Sequence, residues 1–172
     1  MKFAKTALTT LMIVVAGSAQ AATTVTSTLT INVTFTQPSC NITVPASYNL
    51  GSLTPSETKN HGDMNITWDC EGNTPQKTAL TAAIVTGTAE NDNKTVRLKA
   101  GTGDSRATLS LREKNSSTLI KMTGPNAGDY FCSDTAEATG MRTCTLTPVT
   151  EVTGQGALGP ASATLRFEVE YP

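Results

Sequence analysis

Four cysteines (Cys40, Cys70, Cys132 and Cys144) and a single histidine, His61, are the residues best suited to metal or nucleophilic chemistry in this chain. What they can support is narrow. One histidine makes no multi-histidine metal site, and the cysteines lack the paired C-x-x-C spacing of a zinc centre. His61 lies in the polar run Thr58-Lys59-Asn60-His61-Gly62-Asp63, which reads as a solvated loop, and a Ser-His-Asp arrangement would have to use it. No G-x-S-x-G, H-E-x-x-H or phosphate-loop pattern occurs. The residues therefore predict no enzyme, no metal and no cofactor. In an exported chain an even number of cysteines reads as disulfides. Four allow three pairings, and the strand layout below favours Cys40–Cys70 and Cys132–Cys144, each contributing roughly 3–4 kcal/mol by loop-closure entropy.

Export is written at the start of the chain. Lys2 and Lys5 precede an apolar run from Leu8 to Val15, and small residues follow, ending Ala19-Gln20-Ala21. This is a secretory signal over residues 1–21, with an apolar core too short to span a bilayer. Cleavage leaves about 150 residues, the length of one domain. Of the whole chain's 13 basic and 14 acidic residues, the signal removes two basic ones and tips the balance further to the acidic side. Nothing in this charge suits nucleic acid or an anionic membrane surface.

The elements that must position these residues are strands. Only 16% of residues are charged and 5% aromatic, while Thr, Ser, Val and Ala abound, as in an all-β exported protein. From Thr24 to Gln37 the chain alternates, with Val25, Leu29, Ile31, Val33 and Phe35 on one face, Ser27 the only polar residue in that row, and threonines and Asn32 on the other. Such a strand, closed by Pro38, is a long apolar edge that pairs with another chain unless it is covered. Behind it, Cys40–Val44 and Tyr48–Leu53 read as short strands, with a turn at Thr54-Pro55-Ser56-Glu57. Met64, Ile66, Trp68 and Cys70 share one face, which makes Trp68 a core residue and no sugar platform. Further short strands fall at Leu80–Ile84, Val96–Leu98, Leu109–Leu111 and Leu119–Met122, with a loop or edge at Thr86–Thr95. Tyr130-Phe131-Cys132 and Cys144-Thr145-Leu146 flank a mobile-looking segment. Ala163, Leu165, Phe167, Val169 and Tyr171 alternate with polar residues as a closing strand. Short strands at this spacing predict a sandwich.

Taken together these features resemble the pilin subunits of chaperone–usher fimbriae across the whole mature chain. The resemblance is carried by the alternating arm, the cysteine just behind it, Leu50-Gly51-Ser52-Leu53, and the strand Met64-Asn65-Ile66-Thr67-Trp68-Asp69-Cys70. Most specific is the end, where family subunits have a glycine fourteenth from the C-terminus and a penultimate tyrosine; Gly159 and Tyr171 stand there.

The resemblance implies an incomplete immunoglobulin-like β-sandwich, residues 39–172, completed by a donated strand, with residues 22–38 as a free N-terminal donor-strand extension. Gly159, Leu165, Phe167, Val169 and Tyr171 would line the groove that takes a chaperone strand and later a neighbour's arm. Val25, Leu29, Ile31, Val33 and Phe35 would be the donated side chains. Burying five of this size contributes on the order of 8–15 kcal/mol before ordering costs. The implied partners are a periplasmic pilus chaperone, an outer-membrane usher, neighbouring pilin subunits and a host-surface receptor. The implied route is through the periplasm to the surface fimbria. Val33 stands about where many family arms have a glycine, which implies a roomier acceptor pocket or a shifted register. The second cysteine pair is outside the common pattern and points to a minor or adaptor pilin contributing to adhesion. The rival is a tip subunit binding a receptor through surface loops such as Thr86–Thr95 or Ser133–Thr143.

Overall fold

The computed structural model describes residues 30–33, 39–154 and 156–172. The chain divides between Phe35 and Thr36 into two units. In the second unit the chain forms β1 (Cys40–Thr43), β2 (Thr58–Asn60), β3 (Met64–Cys70), β4 (Ala79–Thr86), β5 (Thr88–Glu90), β6 (Thr95–Ala100), β7 (Gly103–Glu113), β8 (Gly140–Val152) and β9 (Thr164–Glu170), with a 3₁₀ turn at Pro125–Ala127. One sheet runs β1-β3-β8-β7-β6-β5, with β2 added on β8; the other pairs β4 with β9. All of these pairings are antiparallel.

Alternation explains which faces meet. On β3, Ile66, Trp68 and Cys70 are buried while Asn65 and Asp69 are exposed; on β8, Cys144, Leu146 and Val152 face inward. Leu80 and Ala82 of β4 join them from the second sheet, so the two sheets close over one core. Side chains of the size of Ile66, Leu80, Leu111 and Leu146, all fully buried, each contribute about 1.5–3 kcal/mol. The result is an all-β sandwich of the immunoglobulin-like kind.

Pro148 sits inside β8, where a missing N–H ordinarily breaks a central strand. It is tolerated because of where it falls. On that side β8 pairs with β3 as far as Leu146 and with β2 from Val149, and Pro148 lies in the gap between them. Its carbonyl accepts from the His61 N–H at 2.9 Å.

Several expectations are corrected. Tyr48–Leu53 is no strand: Asn49 Oδ1 accepts from Gly51 N at 2.8 Å and Gly51 has φ 72°, so the segment turns on itself. Leu119–Met122 forms only a bridge from Leu119 to Arg112, and the buried residues there are Ile120 and Met122. His61 is half-buried, with Nε2 2.7 Å from Thr150 Oγ1. Desolvation, helped by Lys59 and opposed by Glu57, holds its imidazole below the usual histidine range. Nor is the segment between Cys132 and Cys144 loose. Arg142 enters the core and donates to Asp134 Oδ2, Gly140 O, Gln76 O and Ala138 O, while Asp134 accepts from the Thr78 amide and hydroxyl. Trp68 Nε1 completes this network by donating to Thr78 Oγ1 at 2.8 Å.

Candidate strand-acceptor groove

Among the described residues β9 has a strand partner on one side only. Its residues Arg166, Glu168 and Glu170 stand opposite Ala83, Thr81 and Ala79, and Phe167 and Val169 opposite Ala82 and Leu80. Which backbone groups face outward follows from β4. Leu80 exchanges both its N–H and C=O with Phe131, and Ala82 C=O accepts from Gly124 N, so these residues turn their backbone away from β9. In an antiparallel ladder their opposites turn away as well. The backbone N–H and C=O groups of Leu165, Phe167 and Val169 therefore point out along the free edge of β9.

Beside that edge lies a groove of about 950 Å³. One lip is the start of β9 with the segment leading to it, 157–165; the other is the irregular stretch 44–53; the floor includes Met64, Leu98, Leu109, Leu111 and Val152. Leu109, Leu165 and Phe167 pack against the core yet stay half-buried, as expected of core residues lacking cover on one side. Arg106 is the charged residue of the lining, and its Nε is committed to Gly156 O at 2.9 Å. The described lining contains no carboxylate, histidine or cysteine, and most of its side chains are apolar.

The two ends differ. At one, Tyr171 donates its hydroxyl to Cys40 Sγ at 2.9 Å, bringing the end of the chain against β1. At the other, the chain from Gly156 to Ala163 is tied to β6 by the Lys99–Ser162 bridge and to β7 through Asp104, Arg106 and Ala157. Gly156 is needed there, because a Cβ would stand 2.6 Å from the Ser105 carbonyl. The Asp104 carboxylate beside this segment is held below its usual range, first by its hydrogen bond with Lys99 and then by that with Thr88.

Of the acceptor residues expected from sequence, the structure brings Gly159, Leu165 and Phe167 onto the groove. Gly159 precedes β9 and has φ 115°, a conformation that favours glycine. Val169 packs on the core outside the lining, and Tyr171 belongs to the closed end. Leu98, Leu109 and Leu158 were missed; alternation marks an apolar residue as inward-facing but not whether that face is covered. Of the arm, Val25, Leu29 and Phe35 lie outside the described residues, while Ile31 and Val33 are 75% and 82% exposed and in no strand. The disulfides are Cys40–Cys70, across directly paired residues of β1 and β3, and Cys132–Cys144, from the segment before β8 into β8. Among the described residues no helix is long and apolar enough to cross a membrane, and no cluster of three or more His, Cys, Asp or Glu is placed to hold a metal ion.

No family model and no curated protein matches this sequence. Solved structures do. The P pilus rod subunit PapA superposes with a TM-score of 0.55 at 18% identity, covering 77% of this chain and 99% of that one. A subunit of a chaperone–usher pilus, from a study of rod uncoiling, gives 0.54 at 15% identity over 90% of this chain and 100% of that one. The chain has the pilin fold. Among the described residues β9 pairs with β4 alone, and the groove lies beside its other edge.

Proposed function

We propose that this protein is a structural subunit of a surface pilus, carried through the periplasm by a chaperone and polymerised at an outer-membrane usher by strand donation. The observation that carries the reading is the groove of about 950 Å³ along β9, where outward-facing backbone and half-buried Leu165 and Phe167 meet in one place. A strand laid there satisfies both at once. Residues 22–38, with Val25, Leu29, Ile31, Val33 and Phe35 in alternation, are the strand this subunit gives to its neighbour. The Cys132–Cys144 bond, which the common pilin pattern lacks, supports a minor or adaptor position and a contribution to adhesion. The test is deletion of residues 22–38, with fibre content measured by blotting and cross-links from residues 25–35 mapped by mass spectrometry in wild-type fibres. The deleted form is expected to accumulate with chaperone and stay out of the fibre body. Entry at the wild-type level, or cross-links that never reach another subunit's β9, would sink the proposal.

A further inference from the structure

The second lip of the groove, residues 44–53, is held in an unusual way. All ten of its residues line the groove, yet none lies in a strand. Among the described residues, no backbone N–H or C=O of this stretch bonds to the rest of the domain. Its hydrogen bond to another part of the fold is made by a side chain, the Tyr48 hydroxyl donating to Gly62 O at 2.5 Å. The receiving loop is itself fixed on both flanks to β8. His61 N–H donates to Pro148 O at 2.9 Å, and Thr147 Oγ1 donates to Asp63 Oδ1 at 2.6 Å. Lys114 adds an ion pair to Asp63 at 3.0 Å.

We infer that Tyr48 is a positioning residue for strand binding: its bond to Gly62 ties the groove's second lip to the rigid β8 sheet and sets the width into which an incoming strand fits. The inference rests on the strand-acceptor reading above. Tyr48 is 38% exposed, so its ring contributes little as core, and the hydroxyl is the part that fixes the lip. A ten-residue stretch whose backbone, apart from the Gly51 N–H held by Asn49, makes no hydrogen bond among the described residues keeps those groups open to a strand, and pinned near its middle it loses little further freedom when one arrives. Gly62 belongs to the same device. A Cβ at Gly62 would stand 3.2 Å from the Tyr48 hydroxyl oxygen, tighter than ordinary contact, so alanine there presses on the bond from the loop side.

The test uses the oxidised full chain, refolded with a fluorescein-labelled peptide of residues 24–37 and chased with unlabelled peptide. Tyr48→Phe is expected to shorten the lifetime of the peptide complex roughly 2- to 10-fold, the effect of one hydrogen bond. Gly62→Ala moves it the same way, and the double variant is no worse than the more severe single, because both act on one contact. Gly103→Ala, at a glycine with open space around it, leaves the lifetime unchanged. Trp68 emission in the filled state stays that of wild type in every variant, which separates a lip effect from damage to the core. If wild type takes up no peptide, the strand-acceptor reading falls and this inference with it. If wild type takes it up and both single variants release it at the wild-type rate, the Tyr48 inference alone falls.

Discussion

At the residue scale the side chain to weigh outside the groove is Arg142, which no motif or periodicity singles out. Its side chain is 8% exposed and meets Asp134, 17% exposed, at 2.9 Å. A charge so placed is tolerated only when its donors are satisfied, and here the Gly140, Gln76 and Ala138 carbonyls and, at 3.6 Å, Cys70 Sγ accept from the terminal nitrogens. Arg142→Met removes the cation and leaves the carboxylate inside, so unfolding in urea of the peptide-filled chain is expected to show a loss of about 3–5 kcal/mol. Arg142→Lys is expected to recover less than half of it, because a single ammonium cannot reach all of these acceptors, set for a planar fork. Full stability in either variant would mean that the network adds nothing. The alternation around Cys144 was legible, but one arginine among inward-facing residues is indistinguishable in sequence from a strand that has simply ended. Its partners lie on the stretches before β4 and β8, and only the fold brings them together.

At the scale of elements, strands were legible where apolar and polar residues alternate in the sequence, whether or not the apolar face is fully covered, and illegible where a proline or a run of threonines blurs that contrast. β3 and β9 were read nearly to their ends, because apolar and polar residues alternate along them, and β4 was found from Leu80, Ala82 and Ile84 although its first four residues are all buried. β8 was seen only around Cys144–Leu146, since Pro148 on its inward face and Thr143, Thr145 and Thr147 on its outward face hide a long central strand. Tyr48–Leu53 failed in the opposite sense: its residue types suit a strand, but no neighbouring edge is there to pair with it. β9 carries the prediction that belongs to this scale. Phe167 faces the groove and core, and its ring stands edge-on to Phe131 at 6.4 Å, whereas Arg166 is exposed and pairs with Glu168 at 3.4 Å. A carboxylate at Phe167 is desolvated without a partner, costing several kcal/mol. Phe167→Asp is therefore expected to abolish both peptide uptake and fibre incorporation, and Arg166→Ala to leave both within about 2-fold of wild type, since exposed ion pairs contribute under about 1 kcal/mol. Co-purification with chaperone and fibre content, measured side by side, decide it; normal incorporation of Phe167→Asp would remove β9 as the acceptor edge.

For the whole molecule, the two disulfides divide the labour by where they sit relative to the groove. Cys40–Cys70 joins β1 to β3 across directly opposed residues with Cα atoms 3.9 Å apart, and Cys40 Sγ is also the atom that receives the Tyr171 hydroxyl. It therefore ties β1, β3 and the C-terminal end of the chain at a single point, the closed end of the groove. Cys132–Cys144 lies elsewhere: it fastens the segment after Phe131 to β8, on the side of β4 turned away from β9. Loop entropy alone makes the two nearly equal, at separations of 30 and 12 residues. Position makes them unequal. Replacing Cys132 and Cys144 together by serine is expected to lower stability by about 2–4 kcal/mol while peptide uptake and fibre entry persist. Replacing Cys40 and Cys70 together by serine frees the start of β1 from β3 and removes the sulfur that the Tyr171 hydroxyl meets, so β1 and the C-terminal end are no longer held at one point beside the groove. That variant is expected to fail in peptide uptake at temperatures where the first still succeeds. Non-reducing peptide mapping confirms which bond remains in each, and the labelled-peptide lifetime reads the groove directly. Equal loss of uptake in both variants, at matched stability, would show that the closed end plays no part in holding a strand.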